Sequence, residues 1–396
     1  MLLAHHVRVS GRRILHITTF LQGGAGRVVA DLACVQRAGG DAVAVACAAE
    51  EADGYTHYPA WLDRLANADV PLLRVGCTFR RSLHHLMGAV DGLERAPFVR
   101  RGIDLVHAHA AVPALVARTL RHRVPVLATM HGWNAAKSPE HAATDVAVFN
   151  RLPTVTAPSR AAADHLVSAG VDAGRVTVIP YGVAPQHAMG LSADDAALLR
   201  RWRADGLFVL ACVGSVGARK RQALVLDAIA TTPLRHRVAC AFIGEGPDLG
   251  AYVTAARARG IAEATAFLGY RVTVTDWLRA CDAAVFPSQR EGLPIALLEA
   301  AALGVSVIAS DIDEHRELVE PGVSGALFEA ASIESLVAAI EQVVAMPAAR
   351  RRALGRGARN LWGARHRPQR MHASYARLYR DHLTSPGLPL VDARAS

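Results

Sequence analysis

Residues 287–310 read PSQREGLPIALLEAAALGVSVIAS and decide the fold prediction. The apolar run from Ala283 to Phe286 comes directly before them and predicts a strand. After a polar loop with Gly292, a run rich in Ala and Leu predicts a helix, and VSVIAS after Gly304 predicts a second strand. We expect Pro294 to be the first helical residue, because its fixed φ suits a helix start and its missing N–H is not needed there. A strand, a helix and a strand in this order indicate an α/β protein with a parallel sheet.

The same stretch carries the chemistry of a ligand site. Glu291 lies just before the predicted helix, and Glu299 lies eight residues further on, inside it. The backbone groups from Gly292 to Ile295 open the helix, and such an end attracts anions because its N–H groups point outward and its dipole is positive. Carboxylates beside it can accept hydrogen bonds from hydroxyls. Donors for phosphate next to acceptors for hydroxyls indicate a sugar nucleotide.

The composition is that of a globular protein large enough for two domains. Its 396 residues exceed what one hydrophobic core usually serves. With 52% hydrophobic and 20% charged residues, the chain does not fit the disordered class. The net charge of +9 favours anionic partners, such as phosphates, acidic glycans or a membrane surface. Because the arginines are spread over many predicted helices without interleaved aromatic residues, we predict no nucleic-acid binding.

The cysteines and the hydrophobic segments favour a cytoplasmic protein. The six cysteines form no C-x-x-C pair and lie among apolar or small residues, which is typical of buried free thiols. The first residues lack the apolar region of a secretory signal, and no run approaches the ~18 apolar residues of a spanning helix. Residues 79–90, FRRSLHHLMGAV, have basic and apolar faces suited to peripheral contact with the inner membrane face, but we favour a helix that covers the sheet.

Strand and helix patterns alternate in two series along the chain. The first series begins with RILHITT at residues 13–19 and continues through a turn containing Gly23, Gly24 and Gly26; the second begins with LFVLACVGS at residues 207–215. This alternation predicts two Rossmann-like doubly wound domains. The predicted organisation is a first domain at 1–184, a linker at 185–205, a second domain at 206–370 and a final helix at 371–385. Between a helix from about Ser332 and the final helix we predict only a basic tail.

Histidines and a pair of aspartates raise the question of a metal site. His107 and His109 end one predicted strand, and His131 follows another; ligands of open α/β sheets bind at the carboxyl ends of strands. Side chains alternate along a strand, so we assign His107 to the core. No cysteine or carboxylate cluster joins these histidines, and Asp311-Ile312-Asp313 lies where aspartate is common in turns. We therefore predict no metal at either place.

A basic loop follows the first strand of the second series. Residues 214–221 read GSVGARKR, which does not match the P-loop pattern and so argues against ATP hydrolysis of that type. Consecutive cations can neutralise a pyrophosphate leaving group, although an exposed basic turn is the simpler explanation. Lys220 favours the functional interpretation, because Lys137 is the only other lysine in the chain. No G-x-S-x-G or Cys–His pair supports nucleophilic catalysis.

Over nearly its whole length the chain resembles the family 4 glycosyltransferases, also called glycosyl transferase group 1. The most specific part of the resemblance is the E-x7-E spacing of Glu291 and Glu299. Supporting segments are GGAGRVV at 23–29, ATMHGW at 128–133, FIGEGP at 242–247, FLGYR at 267–271 and CDAAVFPS at 281–288. The resemblance implies the GT-B fold, in which two Rossmann-like domains face each other across a cleft. It also implies that the last helix crosses back to the first domain.

The resemblance further implies roles for the matching residues. Glu299 would accept hydrogen bonds from the nucleotide ribose, Glu291 would lie by the donor sugar, and Lys220 would bind the diphosphate. The implied donor-binding residues are Gly24, Gly26, Arg219, Lys220, Tyr270, Arg271, Glu291, Gly292, Leu293, Pro294, Ile295 and Glu299. The implied catalytic residues are Glu291 and His131, the latter on the acceptor side. Tyr270 and Arg271 would lie near the base, and Gly24 or Gly26 would let the first domain approach the donor phosphate.

The chain departs from the family pattern at two positions. The family commonly has G-R-x-x-x-x-K, where Arg and Lys clamp the diphosphate together, but here Ser215 stands at the Arg position. Arg219 is a candidate replacement for the missing charge. The second departure is Tyr181, where the family often has Asn.

The activity implied by the resemblance is retaining, metal-independent glycosyl transfer without a cofactor. The donor would be a nucleoside-diphosphate sugar, most often of UDP in this family. The acceptor would be a hydroxyl of a saccharide, a lipid-linked glycan or a small molecule, as in polysaccharide or natural-product biosynthesis. The alternatives are a sugar-nucleotide epimerase of the same fold and a non-catalytic two-lobed binding protein.

Overall fold

The computed structural model describes residues 11–50, 52, 55–121, 124–133, 137–185, 187–231, 235–271 and 274–384. The chain divides into two compact units. The first contains the residues up to Pro180 together with those from Met371 onward, and the second contains Tyr181–Arg370.

The first unit contains, in its described part, a sheet of seven strands that all pair in parallel. The strands are β1 Arg13–Thr18, β2 Ala42–Ala48, β3 Leu72–Val75, β4 Leu105–His109, β5 Val126–Thr129, β6 Thr154–Ala157 and β7 Val176–Val178. The helices up to Pro180 are α1 Gly23–Ala38, α2 Pro59–Asn67, α3 Leu83–Arg95, α4 Pro97–Arg100, α5 Ala111–Thr119, α6 Pro139–Phe149 and α7 Arg160–Ser168. The strand order β3-β2-β1-β4-β5-β6-β7 is that of a doubly wound sheet.

The second unit repeats this plan with a sheet of six parallel strands among its described residues. The strands are β8 Phe208–Val213, β9 Val238–Ile243, β10 Thr265–Phe267, β11 Ala283–Phe286, β12 Val307–Ser310 and β13 Gly325–Phe328. The helices are α8 Ala193–Ala204, α9 Gln222–Thr231, α10 Leu249–Ala258, α11 Val274–Ala280, α12 Ile295–Leu303, α13 Asp313–Arg316, α14 Ile333–Ala345 and α15 Ala348–Arg365. The order β10-β9-β8-β11-β12-β13 confirms the second Rossmann-like fold that the sequence predicts.

The two faces of the first sheet differ in chemistry. Leu15 and Ile17 of β1 join the apolar core on one face, whereas His16 between them points to the other face. In the parallel register His16 pairs with His107 of β4, so both side chains lie on that second face. Thr129 of β5 and its register partner in β6 add hydroxyls to the same face. The polar groups on this face are buried and must therefore bond one another.

The last helix, α16 Pro368–Thr384, covers part of this polar face. Its Tyr375 and Tyr379 are almost completely buried, and the Tyr379 hydroxyl lies 2.6 Å from Nδ1 of His107. Tyr375 OH lies 3.0 Å from Oγ1 of Thr129. The helix begins three residues before the predicted start, because Pro368 suits the first turn of a helix.

Three stretches differ from the sequence prediction. The predicted linker contains α8, where Ser192 caps the helix through the N–H of Asp195 and Trp202 is completely buried. The predicted basic tail is mainly the long helix α15, whose buried face is limited to a few small and apolar residues. Within residues 79–90, where a helix covering the sheet is predicted, α3 begins only at Leu83, with Ser82 as its N-cap residue. The polar faces of these helices weaken the hydrophobic pattern on which the prediction relied.

The helix of the central stretch begins one residue later than predicted. Pro294 has an extended backbone (ψ 106°) and is the N-cap residue, so α12 starts at Ile295. Gly304 ends the helix in the left-handed conformation, with φ of 73°.

All six cysteines are free thiols. Four are buried, and Cys34 and Cys281 are half-buried. Within the described ranges, no helix is both long enough and apolar enough to cross a membrane.

Candidate functional site

The topological switch point of the second unit lies between β8 and β11. The strands continue from β8 to β9 on one side and from β11 to β12 on the other, so the loops after β8 and β11 diverge and leave a crevice at their carboxyl ends. The backbone N–H of Gln289 donates to the carbonyl of Arg219 at 2.9 Å and holds the two loops together. The basic loop and the acidic loop that the sequence predicts separately therefore form one site.

Glu291 is the centre of this site. Its carboxylate accepts hydrogen bonds from Lys220 Nζ, from Arg219 Nη1 at 3.1 Å and from Ser288 Oγ at 2.6 Å. The Glu291 side chain is only 8% exposed. Burial alone would raise the pKa of Glu291, but the two cations and the serine hydroxyl outweigh burial and lower the pKa to about 2. Glu291 is thus an ionised acceptor and not a proton donor at neutral pH.

Glycines set the shape of the basic loop. Gly214 directly follows β8 and has a φ of 149°. Because it lacks a Cβ, it leaves room for the Lys220 side chain, which would lie 3.2 Å from an added Cβ. A Cβ on Gly244 would overlap the carbonyl oxygen of Gly214, and one on Gly246 would overlap that of Val216. The glycines of the FIGEGP segment are therefore needed so that the turn after β9 can support the loop that carries Lys220.

Beneath Glu291 lies a buried group that the sequence interpretation missed. Ser310 Oγ donates to the carbonyl of Ser288 at 2.6 Å, and His315 Nδ1 donates to the carbonyl of Ser310 at 2.9 Å. His315 is completely buried, burial lowers its pKa, and its Nε2 has no hydrogen-bond partner among the described residues. The sequence signal was a histidine one turn after a strand end, which is weak without the fold.

The D-x-D segment forms a local ion pair. Arg316 donates to Asp311 through Nε at 2.6 Å and Nη2 at 2.9 Å, and to Asp313 through Nη1 at 3.1 Å. Both carboxylates therefore bind the guanidinium of Arg316, which lies at the end of the short helix α13.

The remaining residues predicted for the donor lie on α12 or in the loops near it. Glu299 is on α12 and 6% exposed, Leu293 and Pro294 are buried, and Gly292 and Ile295 are half-buried. These positions surround the start of α12, and their roles in donor binding stay predictions.

Arg271 has a structural partner that the sequence did not reveal. Its Nε and Nη2 bind the carboxylate of Asp195 at 2.9 and 3.1 Å, and the indole N–H of Trp277 donates to the same carboxylate at 3.0 Å. These bonds lower the pKa of Asp195 and fasten α8 to the loop after β10. The backbone N–H of Tyr270 faces Glu245 Oε1 at 3.4 Å. A role of this loop at the nucleotide base stays a prediction.

In the first unit, the predicted site residues follow strands β1 and β5 at the carboxyl end of the sheet. Gly24 and Gly26 lie in the first turn of α1, not in a turn before it as predicted, since the helix begins at Gly23. A Cβ on Gly26 would lie 2.5 Å from the carbonyl carbon of Leu21, so close backbone packing already requires this glycine. His131 follows β5, and its Nε2 lies 3.0 Å from Nδ1 of His109. Burial lowers the pKa of His131 to about 4.

His16, His107 and His109 form a buried cluster whose nitrogen atoms lie within 4.8 Å of one another. The sequence interpretation did not include His16, because β1 is far from β4 along the chain. Three imidazoles at this spacing are compatible with a metal ion, but each also has hydrogen-bond partners within the protein.

Comparison with known proteins identifies the class to which this fold and site belong. A solved structure of HepE from Anabaena, in complex with UDP-glucose, superposes with a TM-score of 0.78 over 93% of this chain and 99% of HepE, at 21% identity. A solved structure of WaaG, described as a glycosyltransferase involved in lipopolysaccharide biosynthesis, gives a TM-score of 0.70 at 17% identity. These similarities confirm the GT-B fold.

Sequence comparison then gives the family. Residues 22–187 match the model of Glycosyltransferase Family 4, and residues 200–361 match that of Glycosyl transferases group 1. Together the matches cover well over half of the chain, and the chain belongs to the family 4 glycosyltransferases.

Individual relatives are moderately similar. A D-inositol 3-phosphate glycosyltransferase of Geodermatophilus obscurus is 31% identical over 286 residues, which is 66% of this chain and 63% of that protein. The lipopolysaccharide core biosynthesis mannosyltransferase LpsB of Rhizobium meliloti is 27% identical over 65% of this chain and 71% of LpsB. The match to the first of these relatives thus spans slightly less than two thirds of its length.

Proposed function

We propose that this protein transfers a sugar from a nucleoside-diphosphate sugar to an acceptor hydroxyl. The observation that carries the proposal is the meeting of Lys220, Arg219 and Glu291 at the switch point of the second unit. Family membership supports the same reaction class. UDP is the preferred donor nucleotide, because the structurally similar HepE has been solved with UDP-glucose.

In this proposal the second unit holds the donor. Lys220 and Arg219 neutralise the diphosphate, and the start of α12 adds N–H groups and a positive dipole. Glu299 accepts hydrogen bonds from the ribose hydroxyls. Glu291, ionised and acceptor-only, receives hydroxyls of the donor sugar on the side away from its cations.

The proposed reaction retains the configuration at the anomeric carbon. The bond from that carbon to the diphosphate oxygen breaks, and the electron pair leaves with the nucleoside diphosphate. The acceptor hydroxyl attacks from the same face and loses its proton to a phosphate oxygen of the leaving group. Stabilising the leaving charge is the main contribution of the protein, and Lys220 supplies it without a metal ion. His131 of the first unit acts on the acceptor side.

A sugar-nucleotide epimerase of the same fold is the competing activity. It would consume donor without any acceptor and release an altered sugar and free nucleotide. Incubation of the donor with and without acceptors, followed by NMR of the products, separates the two activities. An acceptor glycoside with the donor's anomeric configuration supports retaining transfer; product formation that ignores the acceptor would contradict it.

Nucleotide binding is tested directly by thermal shift. A nucleoside diphosphate that binds only the folded protein stabilises it by about 2.7 kcal/mol at one hundred times its Kd. We expect UDP to raise the melting temperature of wild type and of Lys137→Met, but not that of Lys220→Met. Lys137 is the matched control, because it is the only other lysine and pairs with Asp145 in the first unit. An equal UDP shift in all three proteins would refute the assignment of Lys220.

Loss of transfer activity in EDTA would refute metal independence.

The acceptor side carries an exposed apolar pair. Leu83 and Met87, one turn apart on α3, are 74% and 55% exposed, while Ala89 and Leu93 pack into the core. We propose that this end of α3 contacts an anionic membrane, where a lipid-linked acceptor would be presented. Arg81 forms an ion pair with the buried Asp145, so substituting Arg81 would disturb the first unit and would not test membrane contact alone. Leu83→Ser with Met87→Ser should abolish flotation with vesicles containing anionic lipid, whereas Met189→Ser, at another exposed methionine, should not. Equal flotation of both variants would contradict the contact.

A further inference from the structure

Three hydrogen bonds connect the short helix α13 with the carboxylate of Glu291 in the second unit. His315 Nδ1 lies 2.9 Å from the carbonyl oxygen of Ser310, and Ser310 Oγ lies 2.6 Å from the carbonyl oxygen of Ser288. Ser288 Oγ lies 2.6 Å from Oε1 of Glu291. Ser310 is the last residue of β12 and Ser288 follows β11, so these bonds cross the carboxyl ends of two paired strands.

Each of the three bonds has a single donor. The carbonyl oxygens of Ser310 and Ser288 can only accept, so His315 carries its proton on Nδ1 and the Ser310 hydroxyl gives its proton to Ser288. Burial would raise the pKa of Glu291, but its two cations lower it to about 2, so the carboxylate is ionised and accepts from the Ser288 hydroxyl. The proton arrangement therefore follows from the acceptors alone.

The three residues that supply these protons are buried. Ser288 is 2% exposed, and Ser310 and His315 are completely buried. Burial also lowers the pKa of His315, so the imidazole is neutral at pH 7 and has one N–H to donate. Breaking such a bond leaves a buried carbonyl oxygen without its donor, which is costly. The bonds therefore hold the end of β11 firmly against β12 and α13.

The two oxygens of the Glu291 carboxylate have different surroundings. Oε1 accepts from both Lys220 Nζ and Ser288 Oγ. Oε2 accepts, among the described residues, only from Arg219 Nη1 at 3.1 Å. The Arg219 side chain is 55% exposed, whereas that of Lys220 is 15% exposed. Because a carboxylate oxygen has two lone pairs, those of Oε1 are both in use, and Oε2 keeps one on the side of the more exposed cation.

We propose that Ser288, Ser310 and His315 are positioning residues that hold Glu291 with Oε1 turned to Lys220 and with Oε2 open to a hydroxyl of the donor sugar. This inference deepens the proposed function and rests on it for the presence of a nucleotide sugar. The short bond from Ser288 fixes the rotation of the carboxylate, and the bonds from Ser310 and His315 keep Ser288 in place. The three residues act through Glu291 and need not touch the sugar themselves. They serve recognition of the sugar rather than of the nucleotide.

The first test is the tautomer of His315, measured by NMR. In protein labelled with ¹⁵N-histidine, long-range ¹H–¹⁵N correlations at pH 7.5 should show His315 with its proton on Nδ1, assigned by comparison with His315→Asn. A proton on Nε2 would overturn the inference, because Nδ1 could then not donate to the carbonyl of Ser310. This measurement needs no ligand and does not depend on the proposed function.

The second test compares the binding of UDP-glucose with that of UDP by titration calorimetry. Ser310→Ala removes the hydroxyl that binds the Ser288 carbonyl, and His315→Leu removes the N–H that binds the Ser310 carbonyl. In both variants, and in Ser288→Ala, the Kd of UDP-glucose should rise about tenfold, as for the loss of one hydrogen bond to a charged group, while the Kd of UDP rises less than about threefold. An equal rise in both dissociation constants would contradict a role in sugar recognition.

A conservative variant and two matched controls separate positioning from stability. His315→Asn keeps a side-chain N–H near the place of Nδ1 and should bind UDP-glucose nearly as wild type does. Ser306 is buried, and its hydroxyl donates to the carbonyl of Arg351 at 2.8 Å. His366 is buried, and its Nδ1 lies 3.0 Å from the carbonyl oxygen of Tyr181. Ser306→Ala and His366→Leu should lower the free energy of unfolding in urea but leave both dissociation constants unchanged.

The outcomes distinguish this inference from the proposed function. If wild type binds UDP-glucose and Ser310→Ala binds it equally well, the inference is wrong while the proposed function stands. A weaker binding of UDP-glucose in the two controls, equal to that in Ser310→Ala, would likewise show a purely structural role. If His315 carries its proton on Nδ1 but wild type binds neither UDP nor UDP-glucose, the proposed UDP-sugar donor is wrong and the role in sugar recognition fails with it, while the hydrogen-bond arrangement stands.

Discussion

Lys220 and Glu291 form a hydrogen-bonded ion pair between loops that are 71 residues apart in the sequence. The family resemblance assigned the two residues to different parts of the donor, with the cation on the diphosphate and the carboxylate by the sugar. The structure shows that they also bind each other, together with Arg219. The carboxylate therefore holds the two cations at one point. That Arg219 replaces the arginine that the family usually has at the position of Ser215 stays a prediction.

Removing either partner of this pair should destabilise the second unit. Because the Glu291 side chain is 8% exposed, Lys220→Met leaves a buried carboxylate with less compensation and should cost about 1–3 kcal/mol. In the double variant Lys220→Met with Glu291→Gln, we expect a loss smaller than the sum of the single losses, with a coupling energy of about 1–3 kcal/mol. Urea unfolding of wild type, the two single variants and the double variant completes this double-mutant cycle and measures the coupling energy.

The surface pair of Arg316 and Asp311 is the control for this cycle. Its side chains are 57% and 35% exposed, so its coupling energy should stay below about 1 kcal/mol. Relative to Lys220→Met alone, the double variant Lys220→Met with Glu291→Gln should be more stable. It should still fail to bind the donor nucleotide. Equal coupling energies for the two pairs would contradict the buried character of the Glu291 site.

Much of the fold was predictable from the sequence, because buried parallel strands such as Phe208–Val213 are continuous apolar runs bounded by glycine. The approximate position of the site was predictable for the same reason, since Glu291 and Lys220 both follow such strands. The helices at Ala193–Ala204 and Ala348–Arg365 were missed because many of their residues face solvent, several arginines among them, and few face the core. The apolar periodicity that marks a helix is then too weak to recognise.

Side-chain partners could not be predicted when they lie far apart in the chain. Arg271 is predicted to lie near the base, and its protein partner Asp195 lies 76 residues away in a helix that was predicted as a linker. His16 and His109 are likewise 93 residues apart, and only the register of the sheet brings them together. Such pairs depend on strand order, which a single sequence does not specify.

The buried histidines should make stability depend on pH between about 6.5 and 4. The folded-state pKa of His16 is about 4, below the value near 6.5 in the unfolded chain, so the unfolded chain binds more protons in this interval. The contribution of neutral His16 to the free energy of unfolding is present above pH 6.5 and is lost as the pH falls toward 4. For His16 alone the loss is on the order of 3 kcal/mol. Urea unfolding at intervals from pH 7.5 to 4.5 measures it.

A variant pair isolates the histidine effect from that of other groups. His16→Gln should reduce the slope of the free energy of unfolding against pH, whatever its effect on stability at pH 7.5. His141→Gln is the matched control because His141 is exposed, and its slope should equal that of wild type. The interval ends at pH 4.5 so that carboxylates with lowered pKa, such as Glu291, remain ionised throughout. An unchanged slope in His16→Gln would mean that His16 is not buried in the neutral form.

Gly26 is required either for backbone packing against Leu21 or for close approach of a ligand, and a substitution distinguishes these two explanations. Gly26→Ala would place a Cβ 2.5 Å from the carbonyl carbon of Leu21. Because the Leu21 atoms in this contact are backbone atoms, they cannot move aside as a side-chain end could, and the clash should cost about 1–3 kcal/mol. Gly88→Ala is the matched control within a helix, since nothing lies within 4 Å of its Cβ, and it should stabilise the protein by about 0.5–1 kcal/mol. Urea unfolding measures both changes, and thermal shift with UDP measures nucleotide binding. A Gly26→Ala protein of wild-type stability that no longer responds to UDP would contradict the packing explanation and would favour close approach of a phosphate to α1.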